Sequence, residues 1–379
     1  MTITEVRAQA VRLPIATPTH HSTRPLTQRD HLVVTVVDSD TEHVGQGYAY
    51  VGTAGGAVAA QLVRELLAPT LLGADSRDIV GLWRRMYQET LIAGRRGMVV
   101  RALSAVDIAL WDLAAKRAGV PLAVLLGGSL RPLPAYASGG YYRPGAGSWT
   151  DAVVEEIRGN RALGFTDHKI KVGGLPVAQD AERVAAAADA MGPGGRLAVD
   201  ANNSWPNAAE ALRAIRVLEA AAGPAGLWWV EEPLSPDDVA GHRALAQALE
   251  TPVATGEIHQ TRHEFRALIE QQAADVLQPD AGVLGGVTEY LTVARTADTF
   301  GVPVAPHWHA NLHAHLAAAT PNTLTIEHFA LEKGIYNFED LLVPETRLQV
   351  ADGHVLVPDL PGLGIEFDQA VLGEHDLPS

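Results

Sequence analysis

Six ionisable side chains recur at nearly even intervals in the second half of the chain, each at the end of a short apolar run. Successive members are separated by 29, 31, 26, 23 and 27 residues. Carboxylates can bind a cation, while a lysine and a histidine can each move a proton. The set therefore predicts a metal-assisted acid–base site, formed by Lys171, Asp200, Glu231, Glu257, Asp280 and His307.

Three of these carboxylates end consecutive apolar runs: Asp200 in RLAVD, Glu231 in LWWVE and Glu257 after PVATG. Neighbouring strands lie about 4.8 Å apart, so carboxylates at the ends of three adjacent strands converge on one point. A hard divalent cation relieves their repulsion, and oxygen-only ligation favours Mg²⁺. The alternative is that each carboxylate pairs with a nearby lysine or arginine.

Lys169 and Lys171, in HKIKV, share one face of a predicted strand because side chains alternate along a strand. Two ammonium groups about 7 Å apart lower each other's pKa. Lys171 is therefore a candidate base near neutral pH. The alternative is a pair of lysines that neutralise carboxylates at the strand ends.

Asp280 and His307 end the next two apolar runs. An aspartate bonded to the imidazole fixes its tautomer and raises its basicity, which predicts a second acid–base group opposite Lys171. Glu327, in TIEHF, either neutralises a lysine or, if protonated, donates a hydrogen bond to a developing oxyanion. Three other histidines are expected in a loop or on a helix surface: His309, His313 and His315.

Together these groups predict one reaction. A substrate carboxylate bound to Mg²⁺ would hold its α-carbon between Lys171 and His307. Removal of the α-proton gives an enediolate, whose second negative charge the metal, Lys169 and Glu327 would stabilise. A positioned base contributes roughly 10²–10⁴-fold, about 3–5 kcal/mol, so electrostatic stabilisation must supply most of the barrier reduction.

Eight strand candidates alternate with helical segments from Leu133 onward, which predicts an α/β fold of the (β/α)₈ or TIM-barrel type. They are LPAYASGG, HKIKV, RLAVD, LWWVEE, VATGE, DVLQPD, VPVAPH and LTIEHF. The active sites of such barrels lie at the carboxyl ends of the strands. That position would bring all of the groups above to one mouth.

The first 130 residues do not show this alternation of strands and helices, and their pattern predicts an α+β capping domain. Thr2–Val11 and His31–Val37 are typical of strands, and Met98–Ala118 is the longest helical pattern, with Gly119 at its end. After Glu339, RLQVADGHVLV predicts a hairpin with an Asp-Gly turn. The predicted domains are 1–130 for the cap, 131–338 for the barrel, and 339–379 for a segment that returns to the cap.

The composition is that of a large globular enzyme. The 379 residues are 47% hydrophobic and 19% charged, with a formal net charge of −15 and no cysteine. This charge argues against nucleic acid or an anionic membrane as a partner, and no apolar run approaches the ~18 residues of a membrane span. The first residues carry charges where a signal peptide is apolar, so a cytoplasmic enzyme acting on a small-molecule carboxylate is expected.

The chain resembles the mandelate racemase subgroup of the enolase superfamily over essentially its whole length. The matching segments, in order, are SAVDIALWDLAAKRAGVPLAVLLGG, KIK, VDANNSW, VEEP, GE, QPDAGVLGG and the strand that ends at His307. Each motif alone is weak, whereas their order and spacing together are specific. The resemblance implies a modified, enolase-like barrel with a capping domain, and a homo-oligomer from dimer to octamer.

The resemblance also implies a role for each matching position. It implies Mg²⁺ ligands at Asp200, Glu231 and Glu257, with Glu232 behind them. It implies acid–base groups at Lys171 and at His307 with Asp280. It implies contacts to the substrate or the enediolate from Lys169, Asn202 and Glu327. No catalytic position departs from the family pattern.

The capping domain is expected to cover the mouth with two loops, Thr17–Arg24 and Tyr50–Gly56. His20 and Arg24 of the first are candidate substrate contacts, and a solvated loop is the alternative. These polar groups favour dehydration of a sugar acid to a 2-keto-3-deoxy acid. The alternative is a racemase or epimerase of a 2-hydroxy acid, and an aryl substrate would use an apolar pocket of Trp205, Trp308, Tyr141 and Tyr142.

Other functional classes fit less well. A cycloisomerase is disfavoured because a lysine base opposite a His–Asp pair suits the other reactions better. The run from His307 to His309 resembles the paired histidines of a zinc amidohydrolase, but those follow the first barrel strand rather than the seventh. A non-catalytic binding protein should lack one of the ligands or bases, and none is missing.

Overall fold

The computed structural model describes residues 1–40, 42–143, 145, 147–330 and 334–378. An antiparallel sheet with helices forms the amino-terminal domain, and a parallel barrel follows it. Within these ranges, none of the helices is both long enough and apolar enough to pass through a membrane.

The amino-terminal sheet has three antiparallel strands: β1 (Ile3–His20), β2 (Pro25–Asp38) and β3 (Val44–Gly52). The sequence predicts the first two with shorter bounds and does not predict β3. Gly45 and Gly47 explain the omission, since glycine is depleted in strands. A Cβ on Gly47 would lie 2.1 Å from the carbonyl oxygen of Ala105, so glycine allows the strand to approach the helix that packs on it.

The helices of this domain are α1 (Gly56–Leu62), α2 (Ala68–Leu71), α3 (Ile79–Glu89), α4 (Met98–Ala118) and α5 (Leu122–Leu125), with a π-helical turn at Val63–Leu67. The predicted bounds of α4 are confirmed. It ends at Gly119, whose φ of 66° lies in the left-handed region that glycine favours.

Helix α4 also joins the capping domain to the barrel through one buried carboxyl group. Asp107 accepts hydrogen bonds from the backbone N–H of Thr288 at 2.9 Å and from its hydroxyl at 2.6 Å. Burial raises the pKa of Asp107 to about 7, although the bonds from Thr288 oppose this.

We expect Asp107 to make the fold less stable as the pH rises from about 4 to about 7. The folded carboxyl keeps its proton up to about pH 7, whereas an unfolded aspartate loses it near pH 3.9. The folded state binds more protons in this window, so the free energy of unfolding falls by up to ~1.4 kcal/mol per pH unit. Urea unfolding between about pH 4 and pH 8 measures this slope.

The matched variant is Asp107→Asn, which can keep both contacts if the Thr288 hydroxyl accepts one of them. Its unfolding free energy should vary less over the same window and exceed that of the wild type at about pH 8. Parallel pH profiles for the two proteins would contradict the assignment.

The barrel strands are β4 (Leu133–Gly139), β5 (His168–Lys171), β6 (Leu197–Asp200), β7 (Val230–Glu231), β8 (Val253–Thr255), β9 (Val276–Leu277) and β10 (Ile326–His328). Strands β4 to β9 pair in parallel in that order, and β10 pairs in parallel with β4. All of their carboxyl ends therefore point to one mouth.

The helices that follow are α6 (Trp149–Ala162), α7 (Val177–Met191), α8 (Ala208–Ala221), α9 (Val239–Ala248), α10 (Thr261–Glu270), α11 (Ala281–Leu284), α12 (Gly286–Thr299) and α13 (Ala310–Ala318). Short 3₁₀ turns lie at Gly223–Ala225, Phe338–Leu341 and Pro344–Thr346. Helix α8 shows the amphipathic pattern, because its buried residues recur at intervals of three or four: Ala211, Ala214, Ile215 and Leu218.

One predicted strand, VPVAPH, is reduced to a single residue. Val304 bridges to Leu277 on one side and to Thr323 on the other. Pro303 and Pro306 lack the N–H groups of a regular ladder, which explains the short pairing. The two bridges still connect β9 to the segment before β10, so the ring of parallel strands closes.

The carboxyl-terminal segment contacts both domains. The predicted hairpin forms from β11 (Val350–Ala351) and β12 (His354–Val355), but β12 pairs with β4 of the barrel. The prediction that the whole tail returns to the capping domain is therefore wrong for the hairpin. The last residues do return: after α14 (Gln369–Glu374), the N–H of Leu377 donates to the carbonyl of Ala10 at 2.8 Å.

Candidate active site

The candidate base and two of the candidate metal ligands lie side by side on neighbouring strands. Lys171 of β5 pairs in register with Asp200 of β6, and Asp200 pairs with Glu231 of β7. Glu257 follows the end of β8. One oxygen of each of the three carboxylates lies within 4.8 Å of the others. The structure thus brings the predicted triad together.

This triad fits a divalent cation. Burial raises the pKa of Glu231 to about 8 although Lys169 opposes it, and burial also raises the pKa of Glu257. The pKa of the neighbouring Glu232 is raised by burial and by the charges of Glu257 and Asp200. A cation stabilises the ionised form of such crowded carboxylates, and an all-oxygen donor set suits Mg²⁺.

Lys169 and Lys171 are buried and held by carboxylates. Lys171 donates a hydrogen bond to Asp200, while Lys169 donates one to Glu231 and lies 2.8 Å from Glu327 Oε1. Burial disfavours both ammonium groups, but the attraction of the carboxylates is larger and raises both pKa values. The predicted lowering of the lysine pKa by mutual repulsion is therefore wrong for this arrangement.

Asn202 lies in the loop directly after Asp200. Its backbone N–H donates to Asp200 Oδ1 at 2.9 Å and its side-chain amide to Oδ2 at 3.3 Å. Thr23 of the first capping loop donates to the Asn202 carbonyl at 3.5 Å. Asn202 thus lies between the candidate metal ligand Asp200 and the cap, a position from which it can contact a substrate.

Asp280 and His307 form the predicted pair. His307 Nδ1 lies 2.9 Å from Asp280 Oδ2, and His307 Nε2 lies 3.4 Å from Glu257 Oε2. Burial disfavours the imidazolium, but Glu257 and Asp280 outweigh this cost and raise the pKa of His307 to about 9. His307 is therefore protonated at neutral pH and can act as a general acid.

The three other histidines of this region are buried, which corrects their predicted placement at the surface. Helix α13 is buried on all sides, and its histidines bond to backbone groups. His313 Nε2 accepts from the N–H of Ala281 at 3.0 Å, and His315 Nδ1 accepts from Ala123 at 3.2 Å. His309 packs edge-on against Tyr48 with ring centroids 5.0 Å apart. His313 therefore positions the loop that carries Asp280.

Glu327 lies at the mouth as predicted, but as an ionised acceptor. It faces Lys169 through Oε1, and its Oε2 accepts from the backbone N–H of Trp308 at 2.8 Å. Burial would raise its pKa, but Lys169 and His307 lower it to about 2. The option in which a protonated Glu327 donates a hydrogen bond does not match this arrangement.

Two residues that the sequence pattern did not mark hold the carboxylate of Glu231. Trp229 Nε1 donates to Glu231 Oε2 at 3.0 Å, and Gln278 Nε2 donates to the same oxygen at 2.6 Å. Each precedes a marked carboxylate by two residues, Glu231 and Asp280 respectively, and two-residue spacing places side chains on one face of a strand. That spacing is the signal that could have found them.

The first capping loop is shorter than predicted. Strand β1 continues to His20, whose backbone pairs with that of Tyr142. His20 is half-buried there, and the Arg24 side chain is exposed. The neighbouring His21 is the loop histidine whose protonation depends on the site. Burial, together with the charges of Lys171 and Arg24, lowers its pKa to about 3.

Tyr50, from the second predicted loop, forms one wall at the junction of cap and barrel. It stacks on Trp308 with ring centroids 5.2 Å apart, and the Arg29 guanidinium lies 4.1 Å from the Trp308 ring centroid. Arg29 also donates to the carbonyl of Ile335 at 3.0 Å. These contacts hold Trp308, the residue that follows His307, in place.

The predicted apolar pocket forms only in part. Lys171 Nζ lies 5.0 Å from the ring centroid of Tyr141, and the backbone N–H of Trp308 donates to Glu327, so both residues border the site. Tyr142 instead donates to Asp180 at 2.8 Å, and Trp205 packs against the core between strands and helices. Two of the four aromatic residues thus serve packing rather than the mouth.

Comparisons with known proteins agree with this arrangement. Residues 3–127 match the family Mandelate racemase / muconate lactonizing enzyme, N-terminal domain, and residues 152–371 match the family Enolase C-terminal domain-like. The chain is 35% identical over 371 residues to L-talarate/galactarate dehydratase from Salmonella typhimurium, which covers 96% of this chain and 88% of the relative. It is 35% identical over 355 residues to arabinonate dehydratase from Saccharolobus solfataricus, covering 91% and 90%.

A solved structure extends the likeness to three dimensions. L-talarate dehydratase from Polaromonas sp. JS666, complexed with Mg and L-glucarate, has a TM-score of 0.88 and 35% identity to this chain, covering 100% of it and 98% of the relative. The chain therefore belongs to the enolase superfamily, in its mandelate racemase and muconate lactonizing enzyme group.

Proposed function

We propose that this chain is a Mg²⁺-dependent dehydratase that converts a sugar acid into a 2-keto-3-deoxy acid. The observation that carries this proposal is that two candidate acid–base groups contact the same carboxylate triad. Lys171, at the end of β5, donates a hydrogen bond to Asp200, and His307 Nε2 lies 3.4 Å from Glu257 Oε2. A carboxylate substrate at the triad would have a proton-transfer group on either side. The similarity to talarate/galactarate and arabinonate dehydratases supports a sugar acid as that substrate.

Asp200, Glu231 and Glu257 would hold the Mg²⁺, with Trp229 and Gln278 keeping Glu231 oriented. When bound there, Mg²⁺ would polarise the substrate carboxylate and offset the negative charge of Asp200 and Glu257, which raises the pKa of Lys171. The protonated Lys169 would contact the substrate carboxylate and stabilise the charge that develops there.

Proton transfer then follows from the two flanking groups. Neutral Lys171 accepts the α-proton, and the electrons of the broken C–H bond move into the substrate carboxylate to give the enediolate. The carboxylate then re-forms as those electrons make the C2–C3 double bond and the C3–O bond breaks. His307 donates its proton to the departing hydroxyl so that water leaves. The enol product becomes the 2-keto acid, while Asp280 keeps the imidazole in place.

The same two-sided geometry also serves a racemase or epimerase, in which the second group returns a proton to C2. Dehydration is favoured because the relatives above are named as sugar acid dehydratases. A substrate without a 3-hydroxyl could undergo only the proton return.

Proton NMR with Mg²⁺ in D₂O on a panel of aldonic, aldaric and simple 2-hydroxy acids tests the proposal. We expect a new C3 methylene signal together with a 2-keto product. Exchange of the α-proton without elimination across the panel would favour the racemase or epimerase, and formation of a cyclic product would indicate a cycloisomerase. No change in any acid would refute the proposed reaction.

A further inference from the structure

The backbone on the carboxyl side of Lys171 leaves the sheet at once. Lys171 is the last residue of β5, so the regular strand pairing ends with it. Gly173, with a φ of 85°, then turns the chain away from the strand direction. A catalytic base needs an accurate position, because a misplacement of about 1 Å can cost about 10²-fold in rate. The contacts that hold this short segment therefore bear on the function of Lys171.

Two charged residues of α7, Asp180 and Arg183, bind the segment. Arg183 Nη1 donates to the carbonyl of Lys171 at 2.7 Å, and its Nη2 donates to the carbonyl of Gly140, just after β4, at 2.6 Å. Asp180 Oδ2 accepts from the N–H of Gly173 at 2.7 Å. The two side chains also pair with each other at 2.8 Å. One ion pair thus joins the ends of β4 and β5.

Tyr142 completes this cluster through its hydroxyl group. The hydroxyl accepts from the N–H of Gly174 at 3.0 Å and donates to Asp180 Oδ1 at 2.8 Å. The guanidinium carbon of Arg183 lies 4.3 Å from the centroid of the Tyr142 ring. The three residues are at most 4% exposed, so water competes little with these hydrogen bonds.

A buried ion pair is an inefficient way to stabilise a fold, because removing two charges from water offsets most of their attraction. The bonds of this pair go to the backbone of Lys171 and of the residues beside it, where they fix geometry. We propose that Arg183, Asp180 and Tyr142 are positioning residues that hold Lys171 where it can remove the α-proton. They act through the backbone, and the inference rests on the proposed function because that function makes Lys171 the base.

Tyr142→Phe is the mildest test, since it removes one oxygen atom and leaves the ring in place. The N–H of Gly174 then loses its acceptor. We expect kcat for dehydration, and the rate of α-proton exchange in D₂O, to fall about 10-fold, with KM and Mg²⁺ affinity changed less than about twofold. Arg183→Lys keeps the charge but lacks the planar fork that reaches two carbonyls, so its kcat should fall about 10- to 100-fold.

Ile215→Val is the matched control for loss of stability. Ile215 is a fully buried residue of α8 in the same barrel, outside the cluster, and the substitution removes one methyl group from the core. This variant should melt at a lower temperature than the wild type and keep the wild-type kcat. An equal loss of kcat in Ile215→Val and Tyr142→Phe would attribute the effect to stability and overturn the inference.

Hydrogen exchange of the backbone amides, measured by mass spectrometry, separates this inference from the proposed reaction because it needs no substrate. The peptide that contains Gly173 and Gly174 should exchange faster in Tyr142→Phe than in the wild type and Ile215→Val. Unchanged protection of this peptide would refute the cluster even if dehydration is observed, and faster exchange with full turnover would refute its role in positioning. If the wild type converts no acid, the proposed reaction fails, whereas faster exchange in Tyr142→Phe would still support the hold on the end of β5.

Discussion

Replacing Lys171 by methionine will lower kcat for dehydration by roughly 10²–10⁴-fold, the contribution of a positioned general base. Methionine keeps the length and apolar stem of the side chain but removes the amine that accepts the α-proton. The effect should appear in kcat rather than in KM, because the carboxylate triad that would bind substrate through the metal is untouched. Steady-state kinetics on the substrate found by NMR measure this loss.

Two further measurements show whether the loss of activity in Lys171→Met is caused by misfolding. The melting temperature of Lys171→Met should stay near that of the wild type, and Mg²⁺ affinity should be equal or higher because Lys171 no longer competes for Asp200. A variant that binds Mg²⁺ normally and still turns over at the wild-type rate would remove Lys171 from the mechanism.

Chelation of Mg²⁺ will abolish turnover and lower the melting temperature, and added Mg²⁺ will restore both. The folded state gathers Asp200, Glu231 and Glu257 within 4.8 Å of one another, an arrangement the unfolded chain lacks. A ligand that binds only the folded state stabilises it by about 2.7 kcal/mol at 100 times its Kd. Thermal unfolding as a function of Mg²⁺ concentration measures the effect.

Glu231→Gln should weaken this response to Mg²⁺, because one charged ligand is lost. Glu270→Gln is the matched control, since Glu270 pairs with Arg266 at the surface at 2.8 Å, outside the triad. Stabilisation by Mg²⁺ that is identical in Glu231→Gln and the wild type would place the metal elsewhere.

The strand-end groups could be predicted from sequence because position along the chain determines position at the barrel mouth. Lys171, Asp200 and Glu231 each end a short β-run, and parallel register then makes them neighbours. Strand β3 was not predictable in the same way, since Gly45 and Gly47 are explained only by the helix backbone packed on them.

Protonation states were the least predictable part of the site. Lys169 and Lys171 alone suggest mutual repulsion, but the carboxylates that face them belong to other strands and reverse the direction of the pKa shift. Glu327 is ionised for the same reason. Such pKa shifts depend on distances between side chains on different strands of the barrel. The spacing of residues along one strand does not give these distances.

Residues of the cap and of α13 depend on tertiary packing as well. His313 lies among alanines and leucines in ANLHAHLAA; it is buried and accepts a hydrogen bond from the backbone N–H of Ala281, next to Asp280. Arg29 comes from the capping domain and reaches the site only through its contact with Trp308. Without the fold, this arginine does not stand out from the other basic residues.

The most direct test of the mechanism follows the α-proton of the identified substrate by proton NMR in D₂O with Mg²⁺, comparing His307→Asn with Lys171→Met. The account predicts that His307→Asn exchanges the α-proton for deuterium without forming product, because Lys171 still removes it, and that Lys171→Met neither exchanges nor dehydrates at a significant rate. Exchange by Lys171→Met at the wild-type rate, or dehydration by His307→Asn at the wild-type rate, would contradict the assigned roles.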